Sequence, residues 1–134
     1  MHLCRWGLVA MLAIVACAPK ADRQTQGLLE QGRLYTSWLY GSQYEKLWNR
    51  FSPDMRASFG SVSDLASFAG RALSRLGPER RVVDERVDET SPDRVYTRAA
   101  SFDKARNRML IEWSLAQDGE VTGFVVRPEP SDSK

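Results

Sequence analysis

The 134-residue sequence holds two cysteines and one histidine, and all three fall within its first seventeen positions, as His2, Cys4 and Cys17. Beyond Cys17 there is neither a thiol nor an imidazole. A domain built from that remainder forms no disulfide, has no cysteine nucleophile and cannot run a Ser-His-Asp or Cys-His mechanism. It also lacks the nitrogen and sulfur ligands that zinc and copper prefer, so no metal and no other cofactor is expected. An excess of one charge is missing too. Lys plus Arg number 19 against 17 Asp plus Glu, a net of +2, so no large field draws the chain to nucleic acid. Arginine far outnumbers lysine, which follows genome composition more often than a phosphate-binding task. There is no apolar run long enough to span a bilayer as a helix, no internal repeat and no low-complexity segment. Carboxylates, tyrosines, lysines and hydroxyls are what remain for chemistry, and no catalytic set stands out among them.

What is present begins with a basic residue, Arg5, and an apolar run from Trp6 to Val15, the layout of a secretory signal. The run ends in Ile14-Val15-Ala16-Cys17, which resembles the lipobox of bacterial lipoproteins, where small residues precede a cysteine that is acylated and becomes the new first residue. The resemblance implies a signal peptide over residues 1–16, lipid on Cys17 and a lipidated tether over 17–23, whose Ala18-Pro19-Lys20-Ala21-Asp22 is polar and contains proline. The partner is then a membrane, inner or outer. The location is the bacterial cell envelope, on its periplasmic or extracytoplasmic side. Each buried methylene contributes roughly 0.8 kcal/mol and two acyl chains already anchor stably. Plainer readings are a cleaved signal that leaves Cys17 as a free thiol, and a short apolar start to a soluble protein. Loss of residues 1–16 removes Arg5, which leaves 18 basic against 17 acidic residues, and 134 − 16 = 118 residues, enough for one domain.

From Gln24 to Tyr40 the apolar residues Leu28, Leu29, Tyr35, Trp38 and Leu39 recur at helical spacing. Gly41-Ser42 interrupts this helix, and Tyr44, Leu47, Trp48 and Phe51 form a second, shorter stripe. Ser52-Pro53-Asp54 has the form of an N-cap, a first-turn proline and a first-turn acid, and starts a further helix that Gly60 closes. Ser61 with Asp64 predicts the start of the clearest helix, with Leu65, Phe68, Ala69, Ala72, Leu73 and Leu76 on one face and Gly77-Pro78 as its stop. After Pro78 the period changes from 3.6 to 2. Arg81 to Glu89 reads as a charged edge strand. Val95 to Phe102 reads as a second strand, with Tyr96, Ala100 and Phe102 sharing a face with Arg98. Arg108 to Ala116 reads as a third, with Met109, Ile111, Trp113 and Leu115 opposite Glu112 and Ser114. Asp118-Gly119 predicts a hairpin into Glu120 to Arg127. Residues 129–134 read as a disordered tail.

Helices followed by a four-strand meander describe an α+β domain over 24–128, with N-terminal helices packed on the concave face of a curved four-stranded antiparallel sheet. The order of elements, the Tyr44-Glu45-Lys46-Leu47-Trp48 to Phe51-Ser52-Pro53 segment and the closing Gly119-Glu120-Val121-Thr122-Gly123-Phe124-Val125-Val126-Arg127-Pro128 resemble a bacterial family of uncharacterised domains in the nuclear transport factor two-like superfamily. The likeness covers about Gln24 to Pro128 and rests on packing motifs. It implies the cone fold of that superfamily. In longer chains the family's domain also stands ahead of serine hydrolase and α/β-hydrolase domains; with this sequence ending at Lys134, no such catalytic domain is expected here.

Ser101-Phe102-Asp103-Lys104 matches the S-x-x-K pattern of penicillin-recognising enzymes, but a serine at a strand end in a domain of this size does not meet that pattern's context. The aromatic set Tyr35, Trp38, Trp48, Phe68, Tyr96, Trp113 and Phe124 is the candidate lining of a ligand pocket, although aromatics at such spacing are more often core. Arg98 joins them: turned inward it needs a carboxylate or an anionic ligand, while a snorkelling, outward arginine is commoner. Asp84, Glu85 and Asp88 read as a solvated strand face. The leading expectation is a non-enzymatic envelope lipoprotein that binds a small apolar ligand or a protein partner. The alternatives are a small isomerase or cyclase with a buried carboxylate, and a homodimer formed through the exposed sheet face.

Overall fold

The computed structural model describes residues 20–131. The expected signal peptide, the expected lipidation site Cys17 and the last residues of the expected tail lie outside them. Four helices, α1 (Lys20–Tyr40), α2 (Tyr44–Arg50), α3 (Pro53–Phe59) and α4 (Val62–Leu76), precede four strands, β1 (Glu79–Asp88), β2 (Arg94–Phe102), β3 (Met109–Leu115) and β4 (Val121–Pro128). The strands pair in chain order, every pair antiparallel, and the helices cover one face of the sheet. The chain is therefore a mixed α+β domain.

Local chemistry sets the boundaries. The Ser52 hydroxyl accepts the Met55 N–H at 3.3 Å with Pro53 in the first turn, and the Ser61 hydroxyl accepts the Asp64 N–H at 3.1 Å. Gly60 at φ 90° and Gly77 at φ 69° end α3 and α4 in the left-handed region that glycine enters without strain. Two ends differ from expectation. α1 starts at Lys20, so residues 20–23 of the expected tether are helical; none of them disfavours a helix, and Asp22 sits in the first turn where the helix dipole favours an acid. At the other end Glu129 is held, not loose: its N–H donates to the Arg108 carbonyl at 2.8 Å and its carboxylate meets the Arg108 guanidinium at 3.3 Å.

The core lies between the helices and the face of the sheet that carries Tyr96, Ala100, Phe102, Ile111, Trp113 and Leu115. Trp113, with no exposed surface, stacks on Phe124 at 4.3 Å between ring centroids and donates its indole N–H to the Thr36 hydroxyl of α1 at 3.0 Å. Helix and sheet come closest at Gly32, which lies directly over the Tyr96 ring. β1 is irregular. Its register shifts between Glu79 and Arg81 and again between Val82 and Asp84, so the six steps from Glu79 to Glu85 face only the four from Phe102 to Arg98. These two bulges shorten β1 and bring Glu79 and Glu85 within reach of one side chain on β2.

Candidate functional site

A cleft of about 1030 Å³ opens between the C-terminal half of α1, the C-terminal half of α4 and the adjoining ends of β1 and β2. Helical spacing builds two of its walls: Arg33, Ser37 and Tyr40 on α1, and Gly70, Leu73 and Ser74 on α4. Arg98 and Phe102 of β2 with Glu79 of β1 form the third, and Lys104 stands at the mouth. The loop carrying Lys104 is pinned to the end of α4, because the Lys104 N–H donates to Leu76 O at 2.8 Å and the Asp103 N–H to Pro78 O at 3.0 Å.

A charged network makes the cleft floor. Arg98 grips Glu79 with two bonds, Nε at 2.9 Å and Nη2 at 2.7 Å, and donates Nη1 to Glu85 at 2.8 Å. Arg33 from α1 reaches the other side of Glu85, with Nη2 at 2.9 Å and Nε at 3.0 Å from Oε2. The Tyr40 hydroxyl donates to Glu79 at 2.7 Å and the Tyr96 hydroxyl to Glu85 at 2.6 Å. Two guanidiniums thus face two carboxylates, all but Arg33 largely removed from water. Burial alone pushes the Glu79 carboxyl up, but the bonds from Arg98 and Tyr40 outweigh it and hold the group below its usual range. Glu85 is held low in the same way by Arg33 and Tyr96 against the pull of burial. Burial and the neighbouring carboxylates raise the Tyr40 and Tyr96 phenols well above theirs. Both carboxylates are thus fixed as anions and both phenols as donors near neutral pH.

Of the eight residues singled out from the sequence, Arg98 lines this cleft. It points inward and its partners are carboxylates of its own chain. Tyr35, Tyr96 and Trp113 are core, the Tyr35 hydroxyl donating to Gly119 O at 3.0 Å. Trp38 and Trp48 are half-buried, the first with the Lys46 ammonium 5.8 Å from its ring. Phe124 packs on Trp113, and Phe68, expected within the apolar stripe of α4, keeps 39% of its surface exposed at the rim of an aromatic row with Phe59 and Phe124. Glu85 corrects an expectation: it is no solvated strand residue but lies behind the cleft lining with a side chain only 15% exposed, because Arg33 and Arg98 close over it. Tyr40, Glu79 and Gly70 carried no sequence signal that distinguished them, and Lys104 stood out only as the lysine of the S-x-x-K match, which does not bear on the cleft. Glu112 sits on the opposite sheet face from Trp113, as expected, and accepts two bonds of 3.0 Å from Arg127.

No family model, no curated protein and no solved structure matches this chain. Among the described residues, no group of three or more acidic, histidine or cysteine side chains could hold a metal ion, and no helix is long and apolar enough to cross a membrane.

Proposed function

We propose that the protein is a lipoprotein of the bacterial envelope whose domain, a helix-closed cone of the nuclear transport factor two-like kind, is a non-enzymatic module that binds a small ligand. The observation that carries this reading is the cleft, whose volume of about 1030 Å³ reaches the upper end of the roughly 300–1,000 Å³ usual for small-molecule sites. Its chemistry favours holding over turnover. Proton abstraction needs a carboxylate whose pKa has been brought up toward neutrality. Glu79, the carboxylate that faces this cleft, is driven the other way, with both oxygens engaged.

Gly70 supplies the test. A Cβ built at Gly70 meets nothing within 4 Å, so a large side chain there enters the cleft without displacing packed atoms. The neutral dye N-phenyl-1-naphthylamine is expected to bind with a saturable rise in fluorescence, and Gly70→Trp to abolish the rise while leaving the melting temperature intact. Undiminished dye binding by that variant would remove the cleft from consideration. Anchoring is checked separately: the protein expressed in a bacterium partitions into the detergent phase and carries the mass of acyl chains, and Cys17→Ser loses both. An unmodified Cys17 in that spectrum ends the lipoprotein reading.

A further inference from the structure

The reading of the cleft as a binding site can be taken to the class of its ligand, which rests on that reading. The polar groups that the cleft leaves free are decisive. Both oxygens of Glu79 are occupied, Oε1 by Arg98 and Oε2 by Arg98 and Tyr40. Behind it, Glu85 is taken by Arg98, Tyr96 and Arg33. The two carboxylates cancel Arg33 and Arg98, and Lys104 is left over, so the site carries one net positive charge. The Lys104 ammonium bonds only to the Ser74 carbonyl, at 3.4 Å, and among the described residues no carboxylate lies within ion-pair distance of it. Its sequence neighbour Asp103 is spent on Arg80 at 2.6 Å.

The strand register adds a longer-range bias. β1 starts, β2 ends, β3 starts and β4 ends at the cleft end of the sheet; Arg80 and Arg108 there are paired with Asp103 and Glu129, and Arg75 and Arg106 are left with no carboxylate within ion-pair distance among the described residues. The field at the mouth therefore favours an anion. Leu73 and the Tyr40 ring, both half-buried, offer apolar surface along the cleft, to which Phe102, 3% exposed, adds only an edge, and a Cβ at Gly70 would meet nothing within 4 Å. We propose that the cleft takes a small anionic amphiphile, with Lys104 holding the charged head and the apolar body lying along Leu73 of α4 and Tyr40 of α1.

Calorimetric titration of the full chain with octanoate, 1-octanol and octylammonium separates the possibilities, because the three share one apolar body and differ in charge. Octanoate is expected to bind at least about tenfold more tightly than octanol, with octylammonium weakest. Lys104→Gln is expected to bring octanoate down to the level of octanol and to leave octanol unchanged. Lys104 is a surface side chain, so this variant should melt with the wild type. Equal affinity for the three ligands overturns the anionic assignment, and an octanoate preference that survives Lys104→Gln overturns the role given to Lys104; in either case the cleft remains a binding site. Binding of none of the three by a folded chain overturns both.

Discussion

Replacing Gly32 by alanine is expected to destabilise the protein by about 3 kcal/mol, the scale of severe overpacking, and to lower the melting temperature by roughly 10 °C or more. A Cβ at this position would lie 2.2 Å from Cγ of Tyr96 and 2.4 Å from each Cδ, inside the van der Waals thickness of the ring. The ring has nowhere to go. It is fully buried, its hydroxyl is tied to Glu85 at 2.6 Å, and its backbone pairs with Trp113 in the middle of the sheet. α1 cannot easily back away either, because the next residue, Arg33, is bonded to the same Glu85. Gly27, on the same helix, is the control: its Cβ would meet nothing within 4 Å, so Gly27→Ala should instead gain about 0.5–1 kcal/mol through lower backbone entropy in the unfolded chain. Urea and thermal melts of the two variants decide the matter, and a Gly32→Ala protein as stable as Gly27→Ala would mean that helix and sheet do not approach as closely as described.

The second large effect concerns Arg98. Arg98→Met keeps the bulk of the side chain and removes the charge, leaving Glu79 and Glu85 facing one another with only Arg33 and two phenols for company. Breaking a buried pair costs about 3–5 kcal/mol; the modest exposure of these groups, 15–16% of each side chain, brings the expectation to about 2–3 kcal/mol at neutral pH. The dependence on pH is the sharper reading. In the native protein both carboxyls titrate below their unfolded values, so the stability they contribute is present above about pH 4.5 and is lost as the pH falls through the folded values. In Arg98→Met the downward pull on Glu79 is largely gone while burial and the Glu85 charge remain, which reverses its shift. The folded variant then takes up a proton more readily than the unfolded chain and gains stability on acidification. The gap between wild type and variant should therefore close from pH 7 toward pH 4.5. A gap of constant size in urea melts at the two pH values would show that the network is not electrostatically coupled. At the alkaline end, the raised Tyr40 and Tyr96 phenols stay neutral in the fold after they would ionise in the unfolded chain, so stability should decline above about pH 10.

Much of this architecture could be read before the structure, and the reasons are local. Ser52 before Pro53, Ser61 before Asp64 and Gly77 before Pro78 mark helix ends through bonds made within a few residues, and all three do so here. The alternation of Tyr96, Arg98, Ala100 and Phe102 placed Arg98 on the core face, where it is found. Its partners were not legible. A period of 2 puts Glu79 and Glu85 on one face, but the expected strand began at Arg81 and left Glu79 out, its charge made it read as solvated throughout, and the two bulges that bring both acids within reach of Arg98 leave no mark in the sequence. Arg33 and Tyr40 come from a helix far away in sequence, and nothing in their own surroundings says that they turn toward β1. Gly32 and Gly70 look alike in sequence, as glycines inside helices. One is required by contact with a ring and the other borders empty space, a difference that only the packing reveals.

The parallel bridge between Phe51 and Val121, reinforced by the Ser52 N–H donating to Val121 O at 2.9 Å, ties the corner between α2 and α3 to the first residue of the final strand. A chain made from its amino end exposes all four helices before that strand exists. Phe51, 1% exposed once the domain is complete, packs on Trp48 and Phe59 within the helical layer but lacks its pairing with Val121 until then. Whichever side of a membrane the chain folds on, the corner between α2 and α3 is sealed by the last strand to be made, so loss of β4 leaves the helical layer open.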